Sequence, residues 1–248
     1  MRVLSGSLII KLLILLLLIS LLIFGYKPFK DSLDPEVTLI EELESYKSET
    51  RRLADGSYLV AVRTSMPSVK AEMVRWWFAD FLNTSEHYKW WHPSDHVWMD
   101  WENKIPGEII GASHLVHEYI GGELSKLRIQ FVNPAEFFGY NPNDENTFVI
   151  CARAGMLDIE INIAKMCHIV KNHENGSEMR SRFWLGHVAS REGNQTIPSI
   201  TGFLGNMSIS RLFALSRKDA EDLKRHAKEE MSFLAKLLPS LYYSKNKN

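Results

Sequence analysis

The sequence predicts an α+β domain in which a curved antiparallel sheet closes over a long C-terminal helix, preceded by an N-terminal transmembrane helix. Three observations predict it. Segments with strand alternation run from Tyr58 to Ala189 and turn back at Gly121-Gly122 and at "NHENG". The stretch from Arg217 has the periodicity of an amphipathic helix. Leu8 to Phe24, "LIIKLLILLLLISLLIF", is apolar over 17 residues apart from Lys11.

A run of that length is near the lower limit for crossing a bilayer, and Lys11 would reach toward the headgroups. No small-x-small cleavage site follows, so residues 1–27 are expected to be an uncleaved single-pass membrane anchor. Arg2 and Lys11 on one side and Lys27 and Lys30 on the other leave its orientation open. Residues 28–57 are polar and read as a linker with some helix, and the folded domain is expected over 58–243. It opens with the strand "SYLVAVRT". In "SVKAEMVRWWFADFL", Val69, Met73, Trp76, Trp77 and Phe81 are helically spaced, and "SDHVWMDWE" then alternates. "EIIGASHLVHEYIGGELSKLRIQFV" reads as a hairpin and "NTFVICARA" as a strand. A second hairpin follows, and irregular chain leads to the last helix. Ser216 with Asp219 is a capping start and Pro239 a stop, which places that helix over about residues 217–238.

With 248 residues, 45% hydrophobic and 11% aromatic, the chain can bury one sizeable core. Lys and Arg number 29 against 30 acids and form no basic block, which excludes a nucleic-acid groove. Cys151 and Cys167 lie in strand-like segments and are expected as free buried thiols, with a single bridge as the alternative. Sequons at Asn83, Asn175, Asn194 and Asn206 would suit a luminal domain.

The last helix carries the first chemical signal. His226 and Glu230 fall inside the stripe formed by Leu223, Ala227, Phe233, Leu234, Leu237 and Leu241, whereas Glu221, Lys224, Arg225, Lys228 and Glu229 take the opposite arc. A buried carboxylate is costly unless paired or bound to a metal, and an imidazole one turn away is a usual second ligand. Three His/acid pairs in the chain are four residues apart, so spacing alone does not separate this reading from a plain buried His–Glu hydrogen bond. The second signal is the aromatic stretch from Trp76 to Trp101. Trp76 and Trp77 read as core, while Pro93 turns the chain so that His96 enters a strand at a cavity rim, with Tyr88 offering a hydroxyl.

Taken together, "YKWWHPSDHV", "HEYIGGE" with "LRIQF", "MRSRFWLG" and the closing H-x-x-x-E-M-x-x-L-A-x-x-L-P-x-x-Y resemble the 2,4-diacetylphloroglucinol hydrolase family over residues 58–243. The resemblance implies a helix-grip (Bet v 1/START-like) fold and a hydrolase that cleaves a carbon–carbon bond, releasing an acyl group from a phenolic ring. It also implies a zinc ion held by two histidines and two glutamates. These are matched by His96, His226, Glu230 and the strand residue Glu118, with Glu123 as the fallback and His114, on the same strand face, as a further candidate. Tyr88 matches a substrate-contacting tyrosine and His168 a histidine of the middle strands. Phe183 and Trp184 stand where a later tyrosine is expected, and Met99 stands where a polar amide is usual. Both departures bear on the substrate more than on the metal.

The expected chemistry is zinc-assisted attack of water on a small phenolic or apolar ketone, with Glu118 or Tyr88 moving protons. The competing expectation is a membrane-anchored, non-enzymatic carrier holding a lipid or other apolar ligand in the same cavity. A homodimer, like the side of the membrane, is left open.

Overall fold

The computed structural model describes residues 6–25 and 47–246. Helix α1 covers Gly6–Gly25. Among the described residues no helix is long and apolar enough to cross a membrane, which corrects the expected transmembrane helix and single-pass localisation. The expected linker lies outside the described residues as far as residue 46, and from Glu49 the chain is already in the sheet.

Among the described residues nine strands form one antiparallel sheet. They are β1 (Glu49–Arg52), β2 (Tyr58–Pro67), β3 (His96–Glu102), β4 (Ser113–Ile120), β5 (Glu123–Val132), β6 (Thr147–Met156), β7 (Ile161–His173), β8 (Gly176–Glu192) and β9 (Gln195–Ile197). Their order is β1-β2-β8-β7-β6-β5-β4-β3, with β9 beside β8. From β3 to β8 each strand therefore pairs with its sequence neighbour. The connection from β2 to β3 carries α2 (Ala71–Trp76), a π-helical turn (Trp77–Phe81) and α3 (Ser85–Trp91).

Hairpin chemistry sets the register that matters for the site. Gly121 and Gly122 have φ of 64° and 85°, the positive values that a tight two-residue turn requires, and Ile120 consequently pairs with Glu123. That register turns His114, Val116 and Glu118 of β4 inward; a slip by one residue would turn them all outward.

Two short helices replace the irregular chain expected before the closing helix: α5 (Ile200–Gly205) and α6 (Ser208–Ala214) lead to α7 (Arg217–Lys245), while α4 (Ala135–Phe138) precedes β6. The Ser216/Asp219 capping box starts α7 as expected. The helix does not stop at Pro239. Proline forfeits one backbone hydrogen bond, but fully buried Leu238 and the packing of Leu241 and Tyr242 on the main core hold the final turns. Ala220 and Ala227 meet Tyr58, Val60, Val62 and Phe183, while Met231, Leu234 and Leu238 join Trp77, Phe78, Val116 and Phe131 in the largest core cluster. Each large aliphatic buried in this way contributes about 1.5–3 kcal/mol. A curved sheet wrapped on one long helix is the helix-grip arrangement that was expected.

Pairing also overturns the thiol expectation. Cys151 of β6 stands opposite Cys167 of β7, and the two form a disulfide. Two of the sequon asparagines are structural: Asn206 is buried and bonded to Val188, and the Asn194 amide donates to the Gly111 carbonyl.

Candidate functional site

Three elements bring four side chains together. His96 begins β3, and the β3–β4 register sets Glu118 directly opposite it. His226 and Glu230 sit one turn apart on the inward face of α7. All four are buried, none being more than 8% exposed. His96 Nε2 lies 3.5 Å from Glu230 Oε2 and 3.7 Å from Glu118 Oε2, and His226 Nε2 lies 3.8 Å from Glu118 Oε2 and 3.9 Å from Glu230 Oε2.

These separations are too long for hydrogen bonds, and neither Nε2 has any hydrogen-bond partner. An unsatisfied buried polar group costs about 1–3 kcal/mol, so the cluster is unfavourable on its own. A tetrahedral ion with ligand bonds of about 2.0–2.2 Å holds neighbouring ligand atoms roughly 3.3–3.6 Å apart, close to what is seen here. The four side chains fit a divalent cation better than they fit one another.

The far nitrogens of both rings support this fit. His96 Nδ1 lies 2.9 Å from the Tyr88 carbonyl oxygen, which can only accept, so Nδ1 carries the proton and the Nε2 lone pair faces the cluster. His226 Nδ1 lies 3.1 Å from Asp95 Oδ2, with the same consequence. Burial lowers the pKa of His96 to about 4, which keeps it neutral. Burial raises Glu230 to about 7 against the pull of His226 and His92, so the cluster holds a proton near neutrality that a cation would displace.

Tyr88 closes the site from above. Its ring stacks on His96 with centroids 3.7 Å apart, and its hydroxyl donates to Glu118 Oε2. Burial and the charge of Glu118 push this phenol well above its usual range, so it keeps its proton. A cavity of about 230 Å³ opens beside the cluster, between the sheet and α7, with Met166, His168, Phe183 and Leu223 among its walls. His168 is buried and neutral, with burial lowering its pKa to about 4, and its Nδ1 is 2.8 Å from Ser181 Oγ. A larger groove of about 600 Å³ lies elsewhere, beside Glu72, Gly107 and Thr147, and includes none of these groups. The convergence of donors, not volume, locates the chemistry.

The DAPG hydrolase PhiG domain family matches residues 38–243. The chain belongs to this family. It is 29% identical over 205 residues to a phloretin hydrolase of Eubacterium ramulus, covering 76% of this chain and 69% of that one. It is 26% identical over 250 residues to a 2,4-diacetylphloroglucinol hydrolase of Pseudomonas protegens, covering 88% and 76% respectively. Among solved structures it is similar to that of Ara h 8.0201, with a TM-score of 0.44 and 11% identity over 74% of this chain and 99% of the other. The expectation of a hydrolase acting on carbon–carbon bonds in ketones is borne out, and a non-enzymatic carrier is not favoured.

Within this DAPG hydrolase family member, the three candidate strand residues take different positions. Glu118 stands beside both imidazoles. Glu123 lies exposed beyond the hairpin turn, and His114 is stacked on Trp101 with its Nε2 unpartnered. Tyr88 and His168 both border the cavity, as does Phe183. Sequence reasoning assigned no role to Asp95 or His92. His92 is fully buried, with Nε2 3.6 Å from Asp95 Oδ2. Neither residue lies on a periodic face, so no pattern marks them; they occupy a turn whose direction only the fold reveals.

Proposed function

We propose that this chain is a zinc-dependent hydrolase that cleaves the carbon–carbon bond joining an acyl group to the ring of a phenolic ketone, with acylphloroglucinols as the substrate class. The observation that carries the reading is the pair of buried, unpartnered Nε2 atoms facing two carboxylates. His96, Glu118, His226 and Glu230 would hold the ion, a nitrogen and oxygen donor set suited to zinc. Zinc bound there supplies a Lewis acid that polarises a ketone oxygen and lowers the pKa of water.

This chain's own residues account for the proton movements. Overall, water adds its oxygen to the acyl carbon, the acyl–ring bond breaks, and the ring carbon gains a proton. Tyr88 Oη holds a proton in a dry site and is the donor to the ring carbon; the Glu118 carboxylate, to which that hydroxyl is bonded, takes the proton of the attacking water on the oxygen that the ion would leave free and returns it to Tyr88. His168 binds a phenolic hydroxyl through the nitrogen that Ser181 leaves free. Met166 and Phe183 flank the ring and exclude water. Phe183, in place of the tyrosine the resemblance leads one to expect, makes this wall apolar and favours a substrate with an alkyl or aryl substituent there.

The test is turnover of 2,4-diacetylphloroglucinol and of phloretin by the purified full chain, with bound zinc quantified. The expected result is about one zinc per chain, activity abolished by chelation and restored by zinc, and no restoration in His226→Ala. Turnover that survives complete chelation would overturn the zinc reading, and failure to cleave either ketone would overturn the substrate class.

A further inference from the structure

The turn from His92 to Asp95 offers more than a link into β3. The backbone N–H of His96 donates to the His92 carbonyl at 3.0 Å, and the N–H of Tyr119 on β4 donates to the Asp95 carbonyl at 2.9 Å. The turn is thus closed on itself and tied to the strand that carries Glu118. From this fixed backbone the Asp95 carboxylate reaches across to α7, where its Oδ2 meets His226 Nδ1 at 3.1 Å. Asp95 and His226 are 131 residues apart in sequence, so the contact exists only in the folded chain.

His92 backs this contact. Its Nδ1 lies 3.3 Å from the Asp95 backbone N–H, which can only donate, so the ring proton sits on Nε2. That N–H faces two carboxylates, Asp95 at 3.6 Å and Glu229 at 3.5 Å. The His92 ring also lies parallel to that of His226, 6° off with centroids 5.0 Å apart. His92 therefore turns its N–H edge toward Asp95 and Glu229, beyond hydrogen-bond range, and the flat of its ring toward His226.

We infer that Asp95 is a positioning residue: it fixes the tautomer and ring orientation of His226, so that the Nε2 lone pair is held toward Glu118 and Glu230 before any ion arrives. This rests on the reading of His226 as a metal ligand. A carboxylate on the far nitrogen of a ligating imidazole raises its basicity as well as aiming it, and loss of such a partner typically weakens metal binding about tenfold to a hundredfold.

Two measurements on the full chain test the inference separately from turnover. In the metal-free protein at alkaline pH, ¹⁵N NMR of labelled histidines should show His226 protonated on Nδ1, and Asp95→Ala should move the proton toward Nε2. In a competition titration against a chelating dye, Asp95→Ala should bind zinc about tenfold to a hundredfold more weakly than wild type, with Asp95→Asn, whose amide oxygen still accepts from Nδ1–H, in between. Wild-type His226 protonated on Nε2 would overturn the inference without any variant having to fold, and so would unchanged zinc affinity in Asp95→Ala. If the tautomer behaves as expected while wild type binds no zinc, the positioning role stands and the metal reading fails.

Discussion

Tyr88→Phe isolates the proton-transfer role assigned to Tyr88. The substitution removes one hydroxyl and leaves the ring, so the stack on His96 at 3.7 Å and the edge contact with Trp91 at 6.0 Å are retained. What is lost is a buried hydrogen bond to Glu118, of the kind made to a charged group and worth about 1.5–3 kcal/mol. In a domain of this size that corresponds to a Tm lower by about 3–12 °C, still compatible with a folded protein. Tyr88 is not one of the four residues proposed to hold zinc, so zinc content should stay near wild type. Loss of a positioned general acid costs about a hundredfold to ten-thousandfold in kcat, whereas KM should change little because the cavity walls are intact. The assay is steady-state release of the deacylated ring, with zinc measured on the same samples. A kcat within about threefold of wild type at equal zinc content would refute the assignment and leave Tyr88 as packing for His96.

Three further outcomes follow from the same geometry. Zinc at about 100 times its Kd should stabilise wild type by about 2.7 kcal/mol, seen as a Tm rise of about 5–11 °C that chelator reverses, and His226→Ala should show no zinc-dependent shift. His168 is driven by burial from 6.5 to about 4, so the fold favours its neutral form: the stabilising contribution is complete above about pH 6.5 and is lost as pH falls toward 4, about 3 kcal/mol in all. Denaturant titrations of chelated protein at pH 4.5 and 7.5 should therefore show a smaller pH difference for His168→Gln than for wild type; equal differences would mean that His168 is not the group responsible. Leu234→Ala, at a fully buried position one turn beyond Glu230, should cost about 2–5 kcal/mol by urea unfolding, and a loss under about 1 kcal/mol would contradict the packing of α7 in the sheet.

Much of this architecture is legible in local pattern. Period-2 alternation marks β2 to β8, the Gly-Gly turn marks the β4–β5 hairpin, and the capping box with its apolar stripe marks α7, because each of these signals involves residues within a few positions of one another. The same stripe exposed His226 and Glu230 as misfits before any partner was known. Local pattern misleads where long-range packing overrides it. Pro239 is a stop signal in an isolated helix, yet Leu238, Leu241 and Tyr242 are held by core residues distant in sequence. The apolar run near the N-terminus reads as a membrane span, yet no described helix meets the length and apolarity that crossing demands.

The sequence by itself determined which face of each strand and helix is apolar, where the chain turns, and which residue types stand ready for metal and proton chemistry. Only the tertiary structure decided which of these meet. The β3–β4 register sets Glu118, rather than Glu123 or His114, against His96; the β6–β7 register joins Cys151 to Cys167; and a closed turn returns Asp95 to His226. The physical reason is that side-chain periodicity is a property of one segment, whereas register and apposition are chosen by the joint packing of all of them around one core.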